Sequence, residues 1–363
     1  MRISSQFSLF LSGAAIIALV TGCSGGGSQI PTTNAPVSPL SQSVRSVQSV
    51  GASTWMSKGS QTHQTDFVDV AGVNSLHGNQ TIVSDASNNT VSVYGSDGRR
   101  HAVLSTGLSQ PEGITTDAAE TLYVANTQHN DVVVYSKPYR SVVLTLDDTG
   151  EYPTGVSVSN TGVVGVTNIQ STAGTGGAVR FYAKGSTSAC ATITDSQWSG
   201  MYFGAFDASG NLFIDGFDRN GNTIIGEVSG GCGALSLTTL SVDNTIYLVG
   251  GVQVHNGNIL IEDQVGPGGP LGTQTPTIYT YAPPSNGSLG QAIATTTLTA
   301  GGNGFPVTFA LMKDHSYLWI AHSGIAAGRI KFSYPGGRLI KSFDDPRYTT
   351  PIGIAVNPAE IPR

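Results

Sequence analysis

One unit recurs along this chain and constrains its fold more than any other feature. It reads as a leading turn, a strand, a polar turn, an apolar strand ending in Asp or Asn, a tight turn, and a strand ending in Tyr. The clearest copy is Gln110-Pro111-Glu112-Gly113-Ile114, then Thr121-Leu122-Tyr123-Val124-Ala125-Asn126, then Asp131-Val132-Val133-Val134-Tyr135. The apolar strand returns as Thr81 to Asp85, Leu122 to Asn126, Val164 to Asn168, Leu212 to Gly216, Ile259 to Asp263 and Leu318 to His322. Its central residues are Val83, Val124, Val166, Ile214, Ile261 and Ile320, separated by 41, 42, 48, 47 and 59 residues, about 47 on average.

A period of that length, made only of strand and turn, matches one four-stranded blade per repeat. Six copies therefore predict an all-β, six-bladed β-propeller. The leading strand recurs at Pro111-Glu112-Gly113, Pro153-Thr154-Gly155, Tyr202-Phe203-Gly204, Val249-Gly250-Gly251, Phe305-Pro306-Val307 and Pro351-Ile352-Gly353. The last copy, Pro351 to Asn357, has no blade after it, and the first blade, from about Gln80, lacks a leading strand. The expectation is a ring closed by the C-terminal strand, which would leave no exposed sheet edge at the join. Phe67 to Val73 competes for the same slot but matches the repeat less well.

With those residues in view, Gln110 to Tyr135 resembles an NHL repeat, and Asp85 to Tyr94 and Pro351 to Asn357 resemble it in part. The chain is also similar to uncharacterised bacterial propeller lipoproteins, a likeness that implies a fold and a location but no activity.

The location rests on the N-terminus. Arg2 precedes an apolar run from Leu9 to Val20, followed by Thr21-Gly22-Cys23. That order reads as a secretory signal, and the small residues before Cys23 resemble a lipobox. The resemblance implies cleavage after residue 22 and lipid attachment at Cys23, with an ordinary secreted chain as the alternative. From Ser24 to about Thr65 the chain is mostly Ser, Gly, Thr, Pro and Gln, too poor in apolar residues to offset ordering entropy. The expected organisation is a signal peptide at 1–22, a lipidated flexible tether at 23–65 and the propeller at 66–363. The protein would lie in the bacterial cell envelope, held to a membrane through the lipid anchor, as a monomer. Charged residues make up only 11% of the chain, the formal net charge is −6, and no basic cluster occurs, which argues against nucleic acid as a partner.

Two further cysteines, Cys190 and Cys232, are an even pair in an oxidising compartment and invite a disulfide. They fall at similar places in neighbouring repeats, however, and the outer edges of radial blades diverge. A bridge needs Cα atoms within about 7 Å, so the spacing favours free thiols.

Candidate chemistry lies where leading turns and second-strand ends meet. Asp85, Asn126, Asn168, Asp263 and His322, with Gly216 as the exception, could supply oxygen ligands to a hard cation. Asp and Asn after a strand also bond turn backbone, and their recurrence in nearly every blade favours that duty. Six-bladed lactonases of the gluconolactonase and regucalcin family carry metal ligands at the middle residue of several leading turns. Glu112 matches the acidic one, whereas Thr154, Phe203, Gly250, Ile352 and Pro306 or Val307 supply no comparable set. Neither a metal nor another cofactor is expected, and no Gly-x-Ser-x-Gly, His-Glu-x-x-His or Walker sequence occurs.

Longer turns at Ile169 to Gly176 and Gln264 to Thr275, and aromatics at Tyr152, Trp198, Tyr202, Phe203 and Phe305, point instead to recognition on a rigid ring. The candidate ligand-binding residues are Glu112, Tyr152, Trp198, Tyr202, Phe203, Asp263 and His322. The favoured function is a binding module for a protein, peptide or glycan. The alternative is a divergent hydrolase, lactonase or lyase with an unrecognised site on the same face.

Overall fold

The computed structural model describes residues 79–267, 275–299, 304–312, 316–324 and 327–357. The signal peptide, Cys23, the tether and Phe67 to Val73 lie outside the described residues. Three strands, β1 (Gln80–Asp85), β2 (Thr90–Tyr94) and β3 (Arg100–Leu104), open the first blade. Blade 2 is β4 (Pro111–Thr116), β5 (Leu122–Asn126), β6 (Asp131–Tyr135) and β7 (Val142–Asp147). Blade 3 is β8 (Glu151–Val158), β9 (Val164–Ser171), β10 (Ala178–Tyr182) and β11 (Ala191–Thr194). Blade 4 is β12 (Trp198–Phe206), β13 (Leu212–Asp218), β14 (Thr223–Ser229) and β15 (Ser236–Val242). Blade 5 is β16 (Val249–His255), β17 (Asn258–Asp263), β18 (Thr277–Tyr281) and β20 (Ala294–Thr297), with the short β19 (Ser288–Gly290) in its last connection. Blade 6 is β21 (Gly304–Leu311), β22 (Tyr317–Gly324), β23 (Gly328–Ser333) and β24 (Leu339–Asp344). The last strand, β25 (Pro351–Asn357), pairs antiparallel with β1 and takes the inner position of blade 1, with Ile354 opposite Val83. The chain is a six-bladed β-propeller.

The second strands read as continuous apolar runs because both faces of each blade are covered by a neighbour. Every residue of β1 is buried, and Val124, Val166, Ile214 and Ile261 are fully withdrawn from water. Burial on that scale stabilises by roughly 1.5–3 kcal/mol per side chain. Outer strands lose one of those covers, so β7 and β24 are mostly exposed and carry Val142, Val143, Leu339 and Ile340 at the surface.

Cys190 and Cys232 form a disulfide, with Cα atoms 5.3 Å apart, contrary to the expectation of free thiols. The reason lies in how the rims meet. The connection between third and outer strands of one blade leans over the outer edge of the blade before it. Thr187 of blade 3 thus accepts from the Asp147 amide of blade 2, and Cys232 of blade 4 reaches Cys190 beside β11. The strand β19 of blade 5 adds in parallel to β15 of blade 4, and Arg338 of blade 6 bridges to Thr299 of blade 5. Radial divergence is cancelled by this overlap.

Two outcomes test the ring. Removing residues 351–363 takes away Ile352, Ile354 and Val356, all almost fully buried, and is expected to abolish the cooperative thermal transition; a sharp, near-native melt would refute the role of β25. Cys190→Ser or Cys232→Ser is expected to cost about 3–4 kcal/mol in denaturant unfolding, from the loop-closure entropy of a separation of 42 residues. Thiol titration of the unreduced, denatured protein should find neither cysteine reactive.

Candidate functional site

All six inner strands break register at the same height, just after the leading turn. The shifts fall at Pro111/Ile114, Pro153/Gly155, Met201/Gly204, Val249/Val252, Pro306/Thr308 and, between β1 and β25, Val83/Asp85. Beyond each shift the pairs Ile114–Val124, Val156–Val166, Gly204–Ile214, Val252–Ile261, Phe309–Ile320 and Ile354–Val83 are equivalent. Counting back from them, the counterparts of Glu112 are Thr154, Tyr202, Gly250, Val307 and Ile352. Phe203 is one place displaced from its sequence assignment: it occupies the position held by Gly113 in blade 2. Gly204, which resembles the motif glycine, belongs to the following place.

The inner strands enclose a narrow channel of about 80 Å³, walled by residues such as Thr115, Ser157, Phe203, Gln253 and Thr308. One residue before the first channel-lining residue of β4, Gly113, Glu112 is almost fully buried, and its Oε1 accepts from Gln110 Nε2 at 2.8 Å. No other carboxylate stands at an equivalent turn position, so the ligand set of the lactonases does not fit these residues. Among the described residues no three His, Cys, Asp or Glu side chains gather as a metal-binding group.

Three of the second-strand ends serve the backbone, whereas the buried side-chain amide of Asn168 makes no hydrogen bond among the described residues. Asp85 accepts from the Asn88, Thr349 and Thr350 amides. Asn126 accepts from the Ser109 amide and donates to Gly107 O and Asp131 Oδ1. Asp263, a candidate ligand-binding residue, accepts from the amides of Tyr247, Leu248 and Val265. Each of the three pins the segment that leads into its own blade's inner strand. His322 is buried, its Nε2 4.0 Å from Asp344 Oδ1, and burial pushes its imidazole below the usual range despite that carboxylate.

The aromatic candidates separate by burial. Trp198 is fully buried between blades 3 and 4, its indole seated where Gly216 and Gly226 leave no room for a Cβ. It is a core residue. Tyr202 and Phe203 are also buried, but they form a row with Phe217: Tyr202 meets Phe217 edge-on at 5.4 Å and Phe203 at 6.3 Å. Phe203 ends that row in the channel wall, while Phe217 is half-buried. Tyr152 is half-buried and Tyr247 is 39% exposed. Sequence reasoning missed Phe217 and Tyr247; a search for aromatics just outside the second-strand end and leading turn would have found both. Beside Tyr152, Arg180 lies 3.4 Å from both Asp148 and Glu151. Burial pushes Asp148 up to about 6, even with the Tyr182 hydroxyl and Arg180 favouring its charged form.

Two acids that sequence reasoning passed over sit one residue after the centre of the second strand. Asp215 Oδ1 accepts from the Phe203 amide at 2.9 Å, and Glu262 Oε2 from the Gly251 amide at 3.2 Å. Their other oxygens, Oδ2 and Oε1, have no hydrogen-bond partner among the described residues. Burial raises both, Asp215 well above the carboxylate range and Glu262 to about 8. Glu262 is therefore largely neutral at pH 7.

No known protein family and no curated protein matches the sequence. Solved structures do share the fold. A protein of unknown function from Bacteroides caccae superposes with a TM-score of 0.57 at 9% identity, over 77% of this chain and 98% of its own. A nidogen/laminin complex structure gives 0.58 at 13% identity, over 77% and 98%. A functionally unknown protein from Desulfotomaculum acetoxidans gives 0.51 at 12% identity, over 79% and 100%. At such identities the likeness extends to the propeller and no further.

Glu262 gives this site a pH signature. Between the unfolded value of about 4.5 and the folded value of about 8, the native state keeps a proton that the unfolded chain has lost. Stability must fall as pH rises through that window. Glu262→Gln is expected to flatten the fall, gaining roughly 2–4 kcal/mol over wild type at pH 9 in urea unfolding. An unchanged pH slope would show that Glu262 titrates normally.

Proposed function

We propose that this protein is a lipid-anchored, extracytoplasmic binding module that captures a protein, peptide or glycan at the end of the propeller where the leading turns emerge. The observation that carries the reading is aromatic. Tyr152, Phe217 and Tyr247 keep part of their surface in water at that end of adjacent blades, on a frame whose second strands are buried at their centres. Aromatic side chains with a polar tip bring large contact area at low entropy cost and dominate many recognition surfaces. The row from Phe217 through Tyr202 to Phe203 braces that surface from beneath.

The anchor supports the same reading. The signal-like start and Cys23 would place the ring outside the cytoplasm, and the polar stretch to Thr65 would give it reach. The NHL likeness and a nidogen/laminin complex among structures of this fold are in keeping with a role in binding. A hydrolase reading has less to stand on, since Glu112 is the one carboxylate among the equivalent turn positions.

Capture from the native envelope, followed by mass spectrometry, tests the proposal. Tyr152→Ala combined with Tyr247→Ala is expected to lower recovery of a verified partner about tenfold, the loss of one or two interfacial anchors, with an unchanged melting temperature. Equal recovery would remove this rim from the site. Cys23→Ser should move the protein from the membrane to the soluble fraction; a variant that stays with the membrane would exclude anchoring through that thiol.

A further inference from the structure

The seam between blades 6 and 1 holds a second feature, remote from the aromatic rim in sequence and chemistry. Phe343 of β24 lies against Gly98, where an added Cβ would come within 2.9 Å of the ring. Beside this contact a crevice of about 520 Å³ is bounded by Tyr94, Arg99, Arg100, Arg329, Asp344 and the Asp345–Arg347 pair, among others. That volume is in the range of small-molecule sites.

Arg329 is the notable wall. It is 2% exposed, with its guanidinium carbon 3.5 Å from the centroid of Tyr94 and 4.5 Å from that of Phe343. The rings cover its faces by cation–π contact. Its donor edge is poorly served: Nη2 donates to Gly98 O at 2.9 Å, and Nε has no acceptor among the described residues. A buried cation without a directly bonded carboxylate is costly.

The nearby acids are already engaged. Asp345 takes two 2.6 Å bonds from Arg347 and one of 3.1 Å from the Tyr94 hydroxyl. Burial opposes its charge, yet those bonds hold Asp345 down to about 2. With that pair neutralised, the acids beside Arg99, Arg100 and Arg329 are Asp344, itself bonded by Ser342 Oγ, and Asp97, which lies by Arg99 and bonds His101 at 3.0 Å, so three guanidinium groups meet two carboxylates. The crevice is thus electropositive on a chain whose formal net charge is −6.

We propose that this crevice binds a small organic anion, gripping a carboxylate, phosphate or sulfate group with Arg329, Arg99 and Arg100. Planar guanidinium forks match such oxygens in pairs, and the remaining volume accommodates the body of the ligand.

The test uses the purified full-length protein, titrated with inorganic phosphate, sulfate and galacturonate. Chloride at matched ionic strength and neutral galactose serve as controls. Sulfate and phosphate raise melting temperatures non-specifically, so calorimetric saturation and its loss in a variant are the deciding readouts. Saturable binding of at least one oxoanion is expected, weakened about tenfold or more by Arg99→Gln with Arg100→Gln, whose melting temperature in chloride should match wild type. Binding of galacturonate alone would assign a carboxylate ligand, and binding of phosphate or sulfate alone a tetrahedral one; either supports the proposal. Arg329→Lys keeps the charge but loses the fork, and is expected to weaken binding while still melting cooperatively. No saturable binding of any of the three, or equal affinity in the double variant, would overturn the site.

Discussion

The structure depends on one close approach: the inner strand of each blade lies against the next at the register break after its leading turn. A Cβ on Gly113 would fall 2.5 Å from Thr154 O, one on Gly155 the same distance from Tyr202 O, and one on Gly353 2.2 Å from Glu112 O. Those oxygens belong to the neighbouring blade, so the glycines set blade spacing and not merely a turn. Hydroxyls tie the junctions of blades 1 and 2, 3 and 4, and 6 and 1. Ser84 Oγ donates to Glu112 O, Thr167 Oγ1 donates to Tyr202 O at 2.6 Å, and Thr308 Oγ1 donates to Ile352 O at 2.8 Å. Backbone contact at this radius fixes the channel width and the height at which every leading turn emerges.

Blades 4 and 5 meet the same geometric demand with different chemistry. The register break leaves inner-strand amides without ladder partners, and a side chain from the second strand must accept them. Ser84 does this for the Gly353 amide at 2.8 Å. In blades 4 and 5 the acceptors are Asp215 and Glu262, longer side chains whose second oxygen is stranded. A buried carboxylate at these positions is best kept as the acid, because its charge has no cation beside it. The same bond that shapes the ring thus ties stability to pH at blades 4 and 5.

Much of the architecture was legible because it arises from periodic burial. Val83, Val124, Val166, Ile214, Ile261 and Ile320 could be aligned by eye, and the structure places all of them in equivalent register. The Pro-x-Gly turns were legible for the steric reason given above. Blade 4 was misread by one residue because Gly204 imitates the motif glycine, while the true position holds Phe203. The duty of Asp85, Asn126 and Asp263 at turns also followed from residue chemistry. The sites were harder to read. Trp198 and Tyr202 carry the composition of a binding surface, yet their exposure depends on packing against Gly216, Gly226 and Phe217, residues of the second and third strands that no motif joins to the leading turn. Arg329 lies on an ordinary third strand, and only the packing of Tyr94 and Phe343 makes its charge unusual.

The rim explains why the seams are not interchangeable. Blades 3 and 4 are joined by the Cys190–Cys232 bond, blades 4 and 5 by the added strand β19, and blades 5 and 6 by the Thr299–Arg338 bridge. Blades 6 and 1 meet through Gly98 and Phe343, with a guanidinium stacked where the other rims use backbone or sulfur. This join unites segments from opposite ends of the described chain, so making it closes a long stretch of chain at a cost in entropy. Stacking on aromatic faces tolerates small displacements that a strand ladder does not. The cost is a cation whose donors remain underused. That imbalance distinguishes this seam from its neighbours and leaves there the capacity to bind something that the other rims have already given to the fold.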